Sequence, residues 1–212
     1  MADPQPDDRV VLGIHTNTPP GASLTDGHAW LTITRNGHTE AYGLWPNSHP
    51  RFANEDPHPE SNIRRGIENG FAATASRYYE LNPQQVREFE AAIRENVTWG
   101  YTNTCASWAS QTAQRVTGER IDASELLGVT DTPRQIYESI QELERRQPTN
   151  PGTPLPPIDP AQNRSSSSLA DATPPARTGD AQADALLAAA NDPQALGQAM
   201  RNLAASPEGQ AF

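Results

Sequence analysis

Two side chains in this 212-residue chain combine a residue type with a setting suited to nucleophilic chemistry. Cys105 is the only thiol, and it falls in the first turn of a helix predicted over Cys105–Thr117. A helix N-terminus presents free N–H groups and a partial positive charge, both of which favour the thiolate. A lowered thiol pKa makes a cysteine nucleophilic near neutral pH, and the same N–H groups could hold an oxyanion. The competing reading is a buried structural cysteine, a common fate of free thiols. Of the five histidines, His15, His38, His49 and His58 stand near turns or prolines, where a solvated role is expected. His28 differs. It opens a predicted strand, after Asp26-Gly27 and before Ala29-Trp30, and from there could stand over a helix tip and accept the thiol proton.

The elements that must position this pair are readable from pattern. Val10–Ile14 is a short apolar run expected to form a strand. His28–Thr34 and Thr39–Trp45 flank Asn36-Gly37, the strongest short-range hairpin signal. Pairing through that turn sets Thr34 opposite Thr39, Trp30 opposite Gly43 and His28 opposite Trp45, on one face. Pro46–Gly70 is polar and rich in turn residues, which predicts a long loop. Asn82-Pro83-Gln84-Gln85 predicts a helix start with an Asn cap and Pro at N1, and Val86, Phe89 and Ile93 form its stripe. Asn103 or Thr104 can cap the Cys105 helix, whose stripe is Cys105, Trp108, Ala109, Thr112 and Val116 and whose end is Gly118. A last helix starts at Asp131-Thr132-Pro133, with Ile136, Tyr137, Ile140 and Leu143 inward. Strands first and helices after predict an α+β fold with an antiparallel sheet packed on helices.

Composition bounds the rest. The aromatic residues place the folded domain at roughly 8–146, within a first unit spanning 1–146. Residues 147–180 hold eight prolines and the Ser165-to-Ser168 run, which predicts a disordered linker. Residues 181–212 are Ala- and Leu-rich, which predicts a short helical tail. A net charge of −10 and a pI near 4.9 argue against nucleic acid and anionic lipid as partners. No apolar run reaches the roughly 18 residues a membrane helix needs, and the first residues lack the basic and apolar regions of a Sec-type signal. One cysteine excludes an intramolecular disulfide and Cys-rich zinc sites. No phosphate-binding glycine loop or glycosidase-type carboxylate pair stands out, and the histidines are scattered, so neither a cofactor nor a metal is expected.

Gly27-His28-Ala29-Trp30, Tyr42-Gly43-Leu44-Trp45-Pro46 and Tyr101-Thr102-Asn103-Thr104-Cys105-Ala106-Ser107-Trp108 together closely resemble the permuted branch of the NlpC-type papain-like cysteine peptidases, in which the His-bearing hairpin precedes the Cys-bearing helix. The resemblance covers roughly residues 8–146 and implies a papain-like fold, with Cys105 attacking an amide or ester carbonyl and His28 serving as base, then acid. In that family a polar third residue on the paired strand orients the catalytic histidine. Here the position falls at or near Gly43, which has no side chain. The same face continues to Asn47, the candidate for this role. Glu40 would serve if the register shifted by one, and a dyad assisted by water or a backbone carbonyl stays open. Trp30, Trp45 and Trp108 are candidate substrate-cleft residues, with core packing as the alternative.

The resemblance further implies cleavage of amide bonds in peptidoglycan stem peptides by a secreted antibacterial toxin. Such a protein is made in the bacterial cytoplasm, delivered to the periplasm of a target cell by a type VI or type IV system and countered by an immunity protein. The C-terminal tail would then be a delivery or adaptor segment. Two other readings stand beside it: a permuted relative resembling lecithin–retinol acyltransferases that acts on lipid esters, and a non-catalytic adaptor or binding module with an inert Cys105.

Overall fold

The computed structural model describes residues 9–23, 26–47, 49, 61–100, 102–125 and 130–157. Five strands, β1 (Val10–Thr16), β2 (Ala29–Arg35), β3 (His38–Leu44), β4 (Ile63–Arg65) and β5 (Ala75–Leu81), form an antiparallel sheet in the order β4-β3-β2-β1-β5. Helices α1 (Pro83–Ala92), α2 (Cys105–Thr117) and α3 (Pro133–Arg146) follow, and a small pair, β6 (Ser124–Glu125) and β7 (Thr130–Asp131), joins α2 to α3. The architecture is α+β, with strands leading and helices following. Among the described residues no helix is long and apolar enough to cross a membrane.

The β2–β3 hairpin turns at Asn36-Gly37, both with positive φ (50° and 72°), and the register pairs Thr34 with Thr39 and Leu31 with Tyr42. Asn-Gly tolerates this backbone, whose twist matches that of the flanking strands. Strand alternation then divides the sheet into two faces. One face carries Leu12, Ile14, Leu31, Ile33 and Tyr79 and joins Phe89, Ala109, Val116, Ile136 and Ile140 of the helices in a single core. Burying each large apolar side chain contributes roughly 1.5–3 kcal/mol. The opposite face, with His15, Trp30, Thr32 and Ala41, has no helix over it among the described residues and belongs to the functional discussion below.

The helices begin where local chemistry predicts. Asn82 accepts from the backbone N–H of Gln84 and Gln85, and the Gln85 side chain returns a bond to the Asn82 N–H. Thr104, not Asn103, caps α2 by accepting from the Ser107 N–H, and Gly118 closes that helix with φ 79°. Thr132 caps α3. Each such cap contributes about 1 kcal/mol. The expected stripes hold with a shift of one position in α1, where Gln85, Phe89 and Ala92 are buried and Val86 and Ile93 pack at the margin.

Three features depart from the pattern reading. The 46–70 stretch contributes strand β4, which pairs with the second half of β3. Strand β5 lies beyond any predicted strand. Its inward positions are Ala75, Arg77, Tyr79 and Leu81, so a charge interrupts the apolar alternation. Arg77 is 1% exposed, and its guanidinium bonds both oxygens of Glu119, Glu144 Oε1 and the Gln147 carbonyl. Finally, the chain continues past 146 as part of the fold. Leu155 is buried and forms a parallel bridge beside β5, its N–H donating to the Tyr78 carbonyl (2.9 Å) and its carbonyl accepting from the Glu80 N–H (2.7 Å). The first residues assigned to the linker at 147–180 are therefore packed against the sheet. The remainder of that linker, from 158, and the tail at 181–212 lie outside the described residues.

Candidate active site

His28 immediately precedes β2, where Asn17 fixes its backbone twice. The Asn17 side chain accepts from the His28 N–H (2.7 Å), and the Asn17 N–H donates to the His28 carbonyl (3.2 Å). The imidazole is 7% exposed and lies against the Trp45 indole, with ring centroids 4.1 Å apart. This is the cross-strand neighbour that the hairpin register predicts.

Cys105 opens α2 and is partly exposed. The Thr104 side chain that caps the helix also donates to the Asp131 carbonyl (2.9 Å), tying the helix tip to β7. The thiol and the His28 imidazole lie close enough to shift each other's pKa. Because His28 Nε2 is engaged by Glu68 Oε1 at 2.8 Å, Nδ1 is the nitrogen left for the sulfur.

The charges of this pair support one another. Burial raises the Cys105 pKa, but the His28 cation, its hydrogen bond and the backbone N–H groups of Ala29 and Ala106 outweigh it and lower the thiol below its ordinary value. Burial lowers the His28 pKa, but the Cys105 anion, its hydrogen bond and the Glu68 carboxylate raise it to about 9. Both shifts favour a thiolate beside an imidazolium, held at the partly exposed tip of a helix.

Glu68 supplies the orienting group, and the pattern reading does not find it. The carboxylate is 2% exposed; its Oε1 accepts from His28 Nε2 and from Trp45 Nε1 (2.5 Å). It comes from the turn after β4, outside the hairpin. The space it fills is that of the missing Gly43 side chain: a Cβ on Gly43 would stand 1.8 Å from Glu68 Oε1 and 2.8 Å from His28 Nε2. Gly43 was thus the available signal. A glycine where a polar orienting residue is expected leaves room for a side chain from another segment.

Asn47 does not take this part. Its Oδ1 accepts from Asn62 Nδ2 (2.5 Å) and Arg64 Nη2 (3.1 Å), which tethers the chain after β3 to β4. Glu40 is equally removed, because the register is the unshifted one and its carboxylate pairs with Arg65 and accepts from the Tyr42 hydroxyl. The three tryptophans are buried rather than displayed on a cleft wall. Trp108 belongs to the core at 5% exposure, whereas Trp30 (2%) and Trp45 (9%) pack on the His28 ring. His15, expected at the surface, is buried in β1 with His15 Nδ1 bonded to Ser76 Oγ and Nε2 to Thr32 Oγ1, both at 2.8 Å. Among the described residues no group of three or more His, Cys, Asp or Glu side chains could hold a metal ion.

No known family model matches this chain, and neither a curated protein nor a solved structure does. The functional reading therefore rests on the geometry of Cys105, His28 and Glu68.

Proposed function

We propose that the chain is a cysteine hydrolase that cleaves amide bonds, with Cys105 as nucleophile, His28 as base and acid, and Glu68 as the residue that orients and charges His28. The observation that carries the reading is the His28 imidazole held by the buried Glu68 carboxylate at 2.8 Å, beside Cys105 at the tip of α2, where thiol and imidazole each favour the other's charged form. Order along the chain, His-bearing hairpin before Cys-bearing helix, supports a permuted papain-like arrangement with Glu68 in place of a strand-borne third residue.

The chemistry runs as follows. The Cys105 thiolate attacks the carbonyl carbon, forming a C–S bond and moving the π electrons onto oxygen. The oxyanion is stabilised by first-turn N–H groups of α2; the cap takes the Ser107 N–H, so the Cys105 N–H remains for this task. Collapse expels the amine, which leaves with the proton from His28. Water then attacks the thioester while His28 takes one of its protons, and the second collapse frees the carboxylic acid product and restores the ion pair. Glu68, buried against His28 Nε2, holds and supports the imidazolium.

The substrate class we infer is the stem peptide of peptidoglycan, and the setting is an antibacterial toxin delivered to another cell's periplasm. Both follow from the resemblance of the His28 and Cys105 motifs. Digestion of purified sacculi by the full chain tests this reading. Wild type should release cleaved stem peptides, and Cys105→Ala and His28→Ala should each release at least about a thousandfold less. Equal products from all three would overturn the mechanism. Phospholipid loss with intact muropeptides would transfer the same triad to lipid esters.

A further inference from the structure

The face of the sheet opposite the helices holds a second site-like feature that the hydrolytic mechanism does not use. An open pocket of about 590 Å³ lies over β1, β2 and β5, bounded by the turn that carries Glu68. Beneath it lie the buried Trp30 indole and His15 ring, stacked with centroids 5.4 Å apart. Tyr78 stands edge-on to His15 at 5.5 Å, and Phe71 stands edge-on to Trp30 at 5.9 Å. Ala41, Gly70 and Ala73 line it without filling it.

The polar chemistry of this hollow is specific. Burial lowers the His15 pKa to about 4, so at neutral pH its ring has one N–H and one bare nitrogen. One of its two hydroxyl partners, Ser76 and Thr32, must donate to the ring and keeps its lone pairs, while the other accepts from the ring and keeps its proton. The pocket thereby displays a donor and an acceptor on either side of the His15 ring. Among the described residues no Arg, Asp or Lys lines it. The one carboxylate, Glu68 at its inner end, has an Oε2 that is buried and has no hydrogen-bond partner. A buried carboxylate oxygen in that condition favours a ligand rich in donors.

Aromatic edges, paired hydroxyls and, among the described residues, the lack of an exposed charge match one ligand class. A pyranose ring has an apolar C–H face for an aromatic side chain and a rim of hydroxyls that both donate and accept. A charged peptide would find no counter-ion at the mouth, and a lipid chain would desolvate the hydroxyls without repayment. We propose that this pocket binds a neutral sugar ring, on the face of the sheet opposite the helices and with Glu68 as the wall it shares with the triad. The proposal stands whether or not Cys105 is a nucleophile. If the stem-peptide reading also holds, the pocket gives the enzyme a grip on the glycan strand that carries its substrate.

The test uses the full chain carrying Cys105→Ala, so that nothing is cleaved, titrated with a soluble trimer of N-acetylglucosamine. Binding is read calorimetrically and by tryptophan fluorescence, since Trp30 lies just beneath the pocket. Saturable binding is expected, weakened about tenfold or more by Tyr78→Ala. Ala73→Glu, a substitution at an exposed lip residue that leaves the core untouched, should abolish it; circular dichroism confirms the fold of both variants. Absence of saturable binding by the parent, or binding indifferent to both substitutions, overturns the proposal, as does preference for a neutral stem-peptide fragment over the sugar. Sacculus digestion by wild type is a separate readout, so failure here and failure of the hydrolase reading are distinguishable.

Discussion

Two buried imidazoles flank the Trp30 indole on the same sheet face, and their acid–base behaviour is opposite. His15 stacks on it at 5.4 Å and His28 at 6.1 Å; their exposures, 6% and 7%, are nearly equal. Burial disfavours the charged form of both. His15 meets only hydroxyls, so desolvation prevails and its pKa drops to about 4. His28 meets a thiolate on one side and a carboxylate on the other, and rises to about 9. A hydroxyl can bond either protonation state, whereas an anion rewards only the cation. Partner charge, not depth, makes one histidine a fixed polar strut and the other a proton carrier.

The largest contrast between the two should appear in thiol reactivity. In His28→Ala, Cys105 loses its cation and returns toward the ordinary thiol pKa of about 8.5, at which roughly 1% is thiolate at about pH 6.5. Iodoacetamide labelling at that pH should therefore be markedly slower than in wild type, whose thiol pKa is held below the ordinary value. His15→Ala should leave it within about twofold. Equal slowing by the two substitutions would erase the distinction drawn here, and no slowing by His28→Ala would disconnect the imidazole from the thiol.

Stability against pH gives the converse contrast, of next magnitude. Unfolded, His15 takes up a proton near 6.5; folded, it resists until about 4. Between these values the unfolded chain binds more protons, so the His15 contribution is fully present above about pH 6.5 and is lost as pH falls toward 4. The gap corresponds to about 3 kcal/mol. Urea denaturation near pH 7.5 and near pH 4 should show that this loss is smaller by about this amount in His15→Asn, whatever the variant's stability at neutral pH. His28 has the opposite sign. Its raised pKa contributes stability that is present below about 6.5 and fades as pH rises through about 9.

The halves of the site differ in how far the chain announces them. The hairpin was legible because Asn36-Gly37 fixes a turn, and a turn fixes every pair beyond it, including His28 with Trp45. The Cys105 helix was legible because Thr104 and Gly118 mark its ends chemically. Glu68, His15 and β5 were not, for one shared reason: each places a polar group inward, where hydrophobic periodicity expects carbon. Arg77 breaks the alternation of β5 because its guanidinium is met by Glu119 and Glu144, carboxylates 42 and 67 residues away in sequence. Glu68 is inward because Gly43 vacates the space. Such matches are made by tertiary contact, and no local window contains both partners.

The finest test of the contrast alters one charge and little else. Glu68→Gln keeps the shape and leaves an oxygen to accept from His28 Nε2 and Trp45 Nε1, but removes the anion. One of the influences that raise His28 is then gone, while the Cys105 thiolate remains. The imidazolium should lose its proton at lower pH, moving the alkaline limb of a labelling or hydrolysis profile below about 9, with Cys105 rising in response because its partner is less often charged. A shift of about one pKa unit corresponds to about a tenfold loss at a pH on that limb. Gly43→Ala should move the limb in the same direction, because its Cβ would stand 1.8 Å from Glu68 Oε1 and force the carboxylate away. If both variants keep the wild-type limb, the Cys105 thiolate alone charges His28, and Glu68 is a strut of the same kind as Ser76 and Thr32 around His15.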